Sequence, residues 1–193
     1  MNNNFYLKIY RLIIGVIILI AITTQLLTFR QTPSNFLSYF TVLSNFLVSF
    51  VLIVQSLDIP QIKTMNTIRG AATLYILITG LGFTILLGGK NTEFLSWVNI
   101  TLHYISPLAM TLDWFFTPSE KIPFKKALTW ILFLFIYLAY TLILGHITSW
   151  YPYGFLNPGE IGYNGIFLYI CVLIISSLFI SFIITTFSGR KNK

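Results

Sequence analysis

The strongest constraint on this chain is a series of six long apolar runs, approximately Leu7–Leu27, Phe36–Leu57, Ile68–Leu87, Phe94–Phe116, Ala127–Ile147 and Gly165–Phe187. A helix needs about 20 mainly apolar residues to cross a hydrocarbon core roughly 30 Å thick. The runs are too long and too evenly apolar for barrel strands, so helices are expected to satisfy their backbone groups in lipid. Turn formers separate them: Gln31-Thr32-Pro33-Ser34, Asp58-Ile59-Pro60, Gly88-Gly89-Lys90-Asn91 and Thr117-Pro118-Ser119-Glu120. The last break runs from Ser149 to Gly162, where Pro152 and Pro158 interrupt any helical period. No connection holds a soluble domain. The expected fold is all-α, a polytopic integral membrane protein with six transmembrane helices in a single domain over residues 1–193.

Composition agrees. With 56% apolar and only 9% charged residues, a soluble fold could not cover its surface. The net charge of +7 does not point to nucleic acid, because the cations sit in short clusters between the apolar runs. They read instead as topology signals. Lys8 and Arg11, Lys63 and Arg69, Lys121, Lys125 and Lys126, and Arg190, Lys191 and Lys193 all fall on one side, leaving Arg30 and Lys90 on the other. The rule that cytoplasmic connections carry the excess of Lys and Arg then places both termini in the cytoplasm. The first run is expected to stay as a helix, since no small-residue cleavage site follows it.

Several chemistries are excluded by residue type. There is no G-x-S-x-G or H-E-x-x-H motif. No lysine lies within a span core to form a Schiff base. Two histidines without a carboxylate cluster make a metal site unexpected, and no cofactor is expected. Cys171, the single cysteine, lies in an apolar run and should pack as a small hydrophobe.

Polar residues inside hydrocarbon are costly and so mark function. The second run carries Ser38, Thr41, Asn45 and Ser49 at helical spacing, and the fourth carries Asn99, His103, Ser106 and Asp113. Both runs descend from the same side. At about 1.5 Å per residue, Thr41 lies roughly 8 Å and His103 roughly 14 Å below their outer ends, an offset of one turn. Pro107 removes the donor for the carbonyl of His103, so a kink is expected at that depth. A neutral imidazole beside a hydroxyl is the nucleophile–base pairing of acyl transfer. Asn99 or Asn45 could orient the ring or donate to an oxyanion, or either could join helices as interhelical glue. Asp113 is about 15 Å further along the helix, too far for a triad with His103, and is expected to pair with Arg69. Tyr151 and Tyr153 are expected at the cavity rim, and His146, at the outer end of the fifth run, either there or in the membrane interface. Trp150, Tyr151 and Tyr153 suit either an aromatic belt at headgroup level or a lid over a lipid-facing cavity.

Three segments together carry a resemblance: Tyr39-Phe40-Thr41-Val42-Leu43-Ser44-Asn45, then Leu102-His103 with Pro107 and Asp113-Trp114, then Tyr151-Pro152-Tyr153-Gly154-Phe155-Leu156. The set resembles the bacterial branch of the androgen-induced-gene and ADTRP-like family of six-helix membrane proteins. The resemblance implies a threonine hydrolase that cleaves fatty acid esters of hydroxy fatty acids, with Thr41 matching the family's nucleophile. Asn99, His103 and Pro107 resemble its Asn-His-x-x-His segment followed by proline, with Ile100 in place of the first histidine. The Tyr-Pro-Tyr segment is not carried over as catalytic. The expected partners are a lipid ester substrate and membrane lipids, in a bacterial cytoplasmic membrane. The alternative is a binding or transport protein that uses the same polar cleft without covalent chemistry.

Overall fold

Long apolar runs without strong breakers form helices because only a helix satisfies every backbone group within its own segment. The computed structural model describes residues 3–30, 32–57, 64–89 and 93–190, the side chains of 3 and 4 excepted. Gln31, the Asp58-Ile59-Pro60 turn, Lys63, Lys90, Asn91, Lys191 and Lys193 lie outside the described residues. The elements are α1 (Asn3–Thr28), α2 (Pro33–Leu37), α3 (Phe40–Ser56), α4 (Met65–Ile85), α5 (Ser96–Ile100), a π turn (Thr101–Ile105), α6 (Ser106–Phe116), α7 (Phe124–Thr148), a 3-10 turn (Gly154–Leu156) and α8 (Pro158–Thr186). Among the described residues there is no strand. Four helical stretches are long and apolar enough to cross a membrane: Phe5–Thr28, Met65–Ile85, Phe124–Thr148 and Pro158–Thr186. Exposed faces of α1, α7 and α8 carry large apolar side chains such as Ile13, Leu132, Ile136, Phe167 and Phe179, while Asn45, Asp113 and Arg69 are buried. Apolar outside and polar inside is the arrangement of a helical, membrane-embedded protein.

The second apolar run departs from the single helix expected of it. Thr32 caps α2 by accepting from Asn35 N–H, and Pro33 fits the first turn. The chain then leaves helical geometry at Tyr39 (φ −73°, ψ 126°) and restarts as α3 at Phe40. A helix start strands N–H donors that water cannot reach here. Phe40 N–H donates to the Tyr137 phenol at 3.1 Å and Thr41 N–H to the Tyr153 phenol at 3.2 Å. Val42 N–H closes on the Tyr39 carbonyl. Tyrosines from other segments therefore cap α3.

The fourth run is continuous from α5 through α6 but carries the π turn just ahead of Pro107. The expected irregularity thus takes the form of one wide turn, with Ser106 N–H donating back to Thr101 O. Such turns recur where a helix must re-aim a side chain. In the last helix, Gly162 (φ 68°) breaks the geometry just before the long apolar stretch.

One apolar core lies between α1 and α3, around Ile18, Ile22, Val48 and Leu52, and a second around Leu74, Trp114, Trp130 and Ile184. Polar contacts register the helices. Ser49 donates to Gly15 O at 2.8 Å, joining α3 to α1, and Ser44 bonds Thr79 at 2.8 Å, joining α3 to α4. Ser38 lies in the turn before α3 and meets Tyr140. The four polar residues of the second run therefore do not line one cleft, because the break at Tyr39 and the contact with α1 turn Ser38 and Ser49 away from Thr41.

Candidate active site

Thr41 is the second residue of α3, and this position decides what its hydroxyl can do. Threonines inside apolar helices return their hydroxyl to the carbonyl four residues back, as Thr73, Thr79, Thr101, Thr111 and Thr185 do here. Thr41 has no such carbonyl on its own helix, because the chain is extended at Tyr39. Its Oγ1 instead lies 3.2 Å from His103 Nε2. The π turn carries His103, so the wide turn and the helix break together close the one-turn offset between the two residues.

The proton arrangement follows from the other side of the ring. His103 Nδ1 is 3.1 Å from the carbonyl oxygen of Asn99. A carbonyl only accepts, so Nδ1 carries the hydrogen and Nε2 presents its lone pair to Thr41. Phe83 stacks on the imidazole with centroids 3.9 Å apart and planes at 15°. Ring plane, tautomer and aim are all set, and both Thr41 and His103 are buried.

The pair opens on a cavity lined from α3, α4, α7 and α8. Its walls are mostly apolar, with Phe40 from α3, Ile78 and Leu86 from α4 and its end, Leu134 from α7, and Ile170 and Ile174 from α8. Phe135 lines the cavity and is also exposed on the outside of α7. Of the wall's other hydroxyls, Thr79 donates to Tyr75 O, Ser177 to Leu173 O and Tyr137 to Ser38 O. A small polar centre at the edge of an apolar cavity is the form of a site for an elongated apolar ligand with one polar group.

No family model, curated protein or solved structure matches the chain.

Several expected roles need correction. Asn45 does not face the cavity as an oxyanion donor: its Nδ2 donates to Thr41 O at 2.8 Å and to Leu102 O at 3.1 Å. It ties α3 to the fourth run beside the Thr41–His103 pair, the interhelical role that the sequence leaves open as its alternative. The Asn99 side chain donates to Phe94 O at 3.2 Å, so the histidine is oriented by the Asn99 backbone carbonyl and not by its amide. His146 is exposed, and neither it nor Tyr151 lines the cavity. The Tyr151 ring lies directly over Gly145, leaving no room for a Cβ there. Tyr153 is more than a rim residue, since its hydroxyl reaches Thr41 N–H and lies 3.3 Å from Thr41 Oγ1. With Phe155 and Leu156 it brings the 149–162 connection into the cavity wall. Phe83 and Tyr137 have no signal in the sequence, because an aromatic residue among many apolar ones does not stand out locally.

Asp113 stands apart from the cavity. Arg69 Nε is 2.9 Å from one carboxylate oxygen and Arg11 Nε is 2.6 Å from the other. Thr117 joins both arginines. Arg69 is the expected partner, while the role of Arg11 goes beyond the topology charge expected of it.

Proposed function

We propose that this chain is an intramembrane hydrolase of lipid esters, of the fatty acid ester of hydroxy fatty acid type, with Thr41 as nucleophile and His103 as base. The observation that carries the reading is the 3.2 Å contact between Thr41 Oγ1 and the unprotonated Nε2 of His103, at the wall of an apolar cavity. Six spans with both termini in the cytoplasm, in a bacterial cytoplasmic membrane, complete the proposal. Its support is the charge distribution and the resemblance to the androgen-induced-gene and ADTRP-like family.

In this mechanism Thr41 Oγ1 attacks the ester carbonyl carbon while its proton passes to His103 Nε2. The new Oγ1–C bond forms as the carbonyl π pair moves onto oxygen. Collapse of that intermediate re-forms the carbonyl and expels the alkoxide, which takes the proton from His103 and leaves as an alcohol. A water molecule then attacks the acyl-threonine with His103 again as base, giving the fatty acid and restoring Thr41. The cavity holds an acyl chain, and Phe135, which both lines it and is exposed, marks where lipid enters laterally.

The test is hydrolysis of a panel of lipid esters by purified protein, together with labelling by a fluorophosphonate probe. Turnover and a covalent adduct mapped to Thr41, both lost in Thr41→Val, support the reading. A folded wild-type protein that neither turns over nor labels, yet binds or moves a lipid in vesicles, points to binding or transport in its place.

A further inference from the structure

The oxyanion of the proposed reaction needs a donor, and neither asparagine supplies it: Asn45 Nδ2 spends both hydrogens on the carbonyls of Thr41 and Leu102, and Asn99, held on Phe94 O, does not line the cavity. We infer that Tyr153 is a further catalytic residue, whose phenolic O–H holds the oxyanion formed when Thr41 attacks. This rests on the hydrolase reading above and adds to it the group that stabilises the charge.

The hydrogen positions lead there in sequence. His103 Nδ1–H is held by Asn99 O, so Nε2 accepts, and the Thr41 hydroxyl proton points to Nε2. In the 3.3 Å contact between Thr41 Oγ1 and the Tyr153 oxygen, the proton is therefore that of Tyr153. Thr41 N–H donates to the same phenol oxygen at 3.2 Å, which polarises its O–H. Tyr137, the other phenol at the start of α3, gives its hydrogen to Ser38 O at 2.8 Å and has none left. The Tyr153 hydrogen therefore has two hydroxyl acceptors beside it, Thr41 Oγ1 and the Tyr137 oxygen, and is not spent on a carbonyl. When Oγ1 becomes an ester oxygen, it is a poorer acceptor than the new oxyanion beside it. The O–H then moves a short way onto the stronger acceptor, and no proton is transferred. The ring is held for this task, edge-on to Tyr39 at 5.6 Å and stacked on Phe155 at 5.1 Å. Thr41 also lies in the first turn of a 17-residue helix, where the macrodipole favours negative charge.

Tyr153→Phe keeps the ring contacts and removes the donor. Loss of one oxyanion donor lowers kcat by about 10²–10³-fold. The expected outcome is a fall of that size with KM little changed, and a matching slowdown of fluorophosphonate labelling that still ends on Thr41. Wild-type kcat and labelling rate in a folded Tyr153→Phe protein would overturn the assignment and leave the hydrolase reading standing. Inactivity of the wild-type protein would overturn both.

A second measurement is independent of that variant's folding. The donor must be protonated, so activity is lost as pH rises through the phenol's ionisation, which burial pushes above its usual value. The titratable groups around it are Tyr39, Tyr137 and His103, which are unchanged in a protein carrying a ring-fluorinated tyrosine at 153. Fluorination makes the phenol more acidic, so the alkaline limb of kcat should move to lower pH while the acid limb stays. An unmoved alkaline limb would show that the phenol only packs, and would overturn the assignment.

Discussion

Thr41 shows how much a single position within a helix can change a side chain's chemistry. A buried threonine four residues further into α3 would spend its hydroxyl on its own helix, as Thr73 and Thr79 do in α4. At the second position the hydroxyl is available, and His103 takes it. Thr41→Val should keep the fold, because the branched shape is retained and a lost interhelical hydrogen bond in a membrane costs about 1 kcal/mol or less. Its turnover should nevertheless fall by roughly 10³-fold or more, as should that of His103→Ala, and the double variant should be no worse, since the two act as a unit. Thr41→Ser should retain measurable hydrolysis. Rates compared on protein of verified thermal stability decide it: wild-type turnover in Thr41→Val removes the nucleophile. Asp113 makes the opposite prediction. It sits between two buried guanidinium groups, so Asp113→Asn leaves Arg11 and Arg69 without their counter-charge. The expected cost is about 3–5 kcal/mol of stability. The fraction that does fold should keep near-normal kcat. A stably folded Asp113→Asn protein without turnover would tie Asp113 to the chemistry.

At the scale of elements, the site depends on two departures from regular helix, the break before α3 and the π turn before Pro107. α4 presses against the second of these through Gly80. A Cβ at Gly80 would meet Pro107 Cγ at 3.0 Å and His103 O at 3.1 Å. Neither is the end of a flexible side chain, so Gly80→Ala must push the π turn and its histidine away from α4. Alanine gains about 1 kcal/mol of helix propensity over glycine, while overpacking costs about 1–3 kcal/mol, so stability should fall by about 0–2 kcal/mol. Activity should fall further, by about tenfold or more, because small displacements of a catalytic group are expensive in rate. A Cβ at Gly82 would have nothing within 4 Å, so Gly82→Ala should raise the melting temperature. Equal losses of rate and stability in Gly80→Ala would mean that the contact only packs helices.

The whole molecule places a charged knot around Asp113 and the aromatic-lined Thr41–His103 pair at different levels of one bundle. The charge asymmetry sets their direction in the proposed topology: Asp113 with its arginines toward the cytoplasm, Thr41 and the 149–162 connection toward the outside. In a Cys171→Ala background, the cysteine of Glu160→Cys should react with an impermeant maleimide in intact cells. That of Lys126→Cys should react only after the membrane is opened. Both positions are exposed, so the difference reads topology and not burial. The reverse pattern would invert the orientation and place the site on the cytoplasmic side.

Apolar run length, the cation clusters and the isolated polar residues are legible in the linear sequence because each is a local property. They are enough to mark helices, to separate Thr41 and His103 from the apolar background, and to pair Asp113 with Arg69. Which hydrogen bond each polar group makes is not legible, because its partner comes from a segment distant in the chain or from a turn of uncertain geometry. Asn45 and Asn99 read in the sequence either as donors to a ligand or as ties between helices, and only the fold decides, with the carbonyls of Leu102 and Phe94 holding them. Tyr153 is one interfacial aromatic among several until the fold brings it to Thr41, 112 residues away. The break at Tyr39 lies inside an apolar run and has no proline or glycine to announce it. It persists because Tyr137 and Tyr153 accept the N–H groups that the break exposes. In a medium without water, such partners can come only from the rest of the fold.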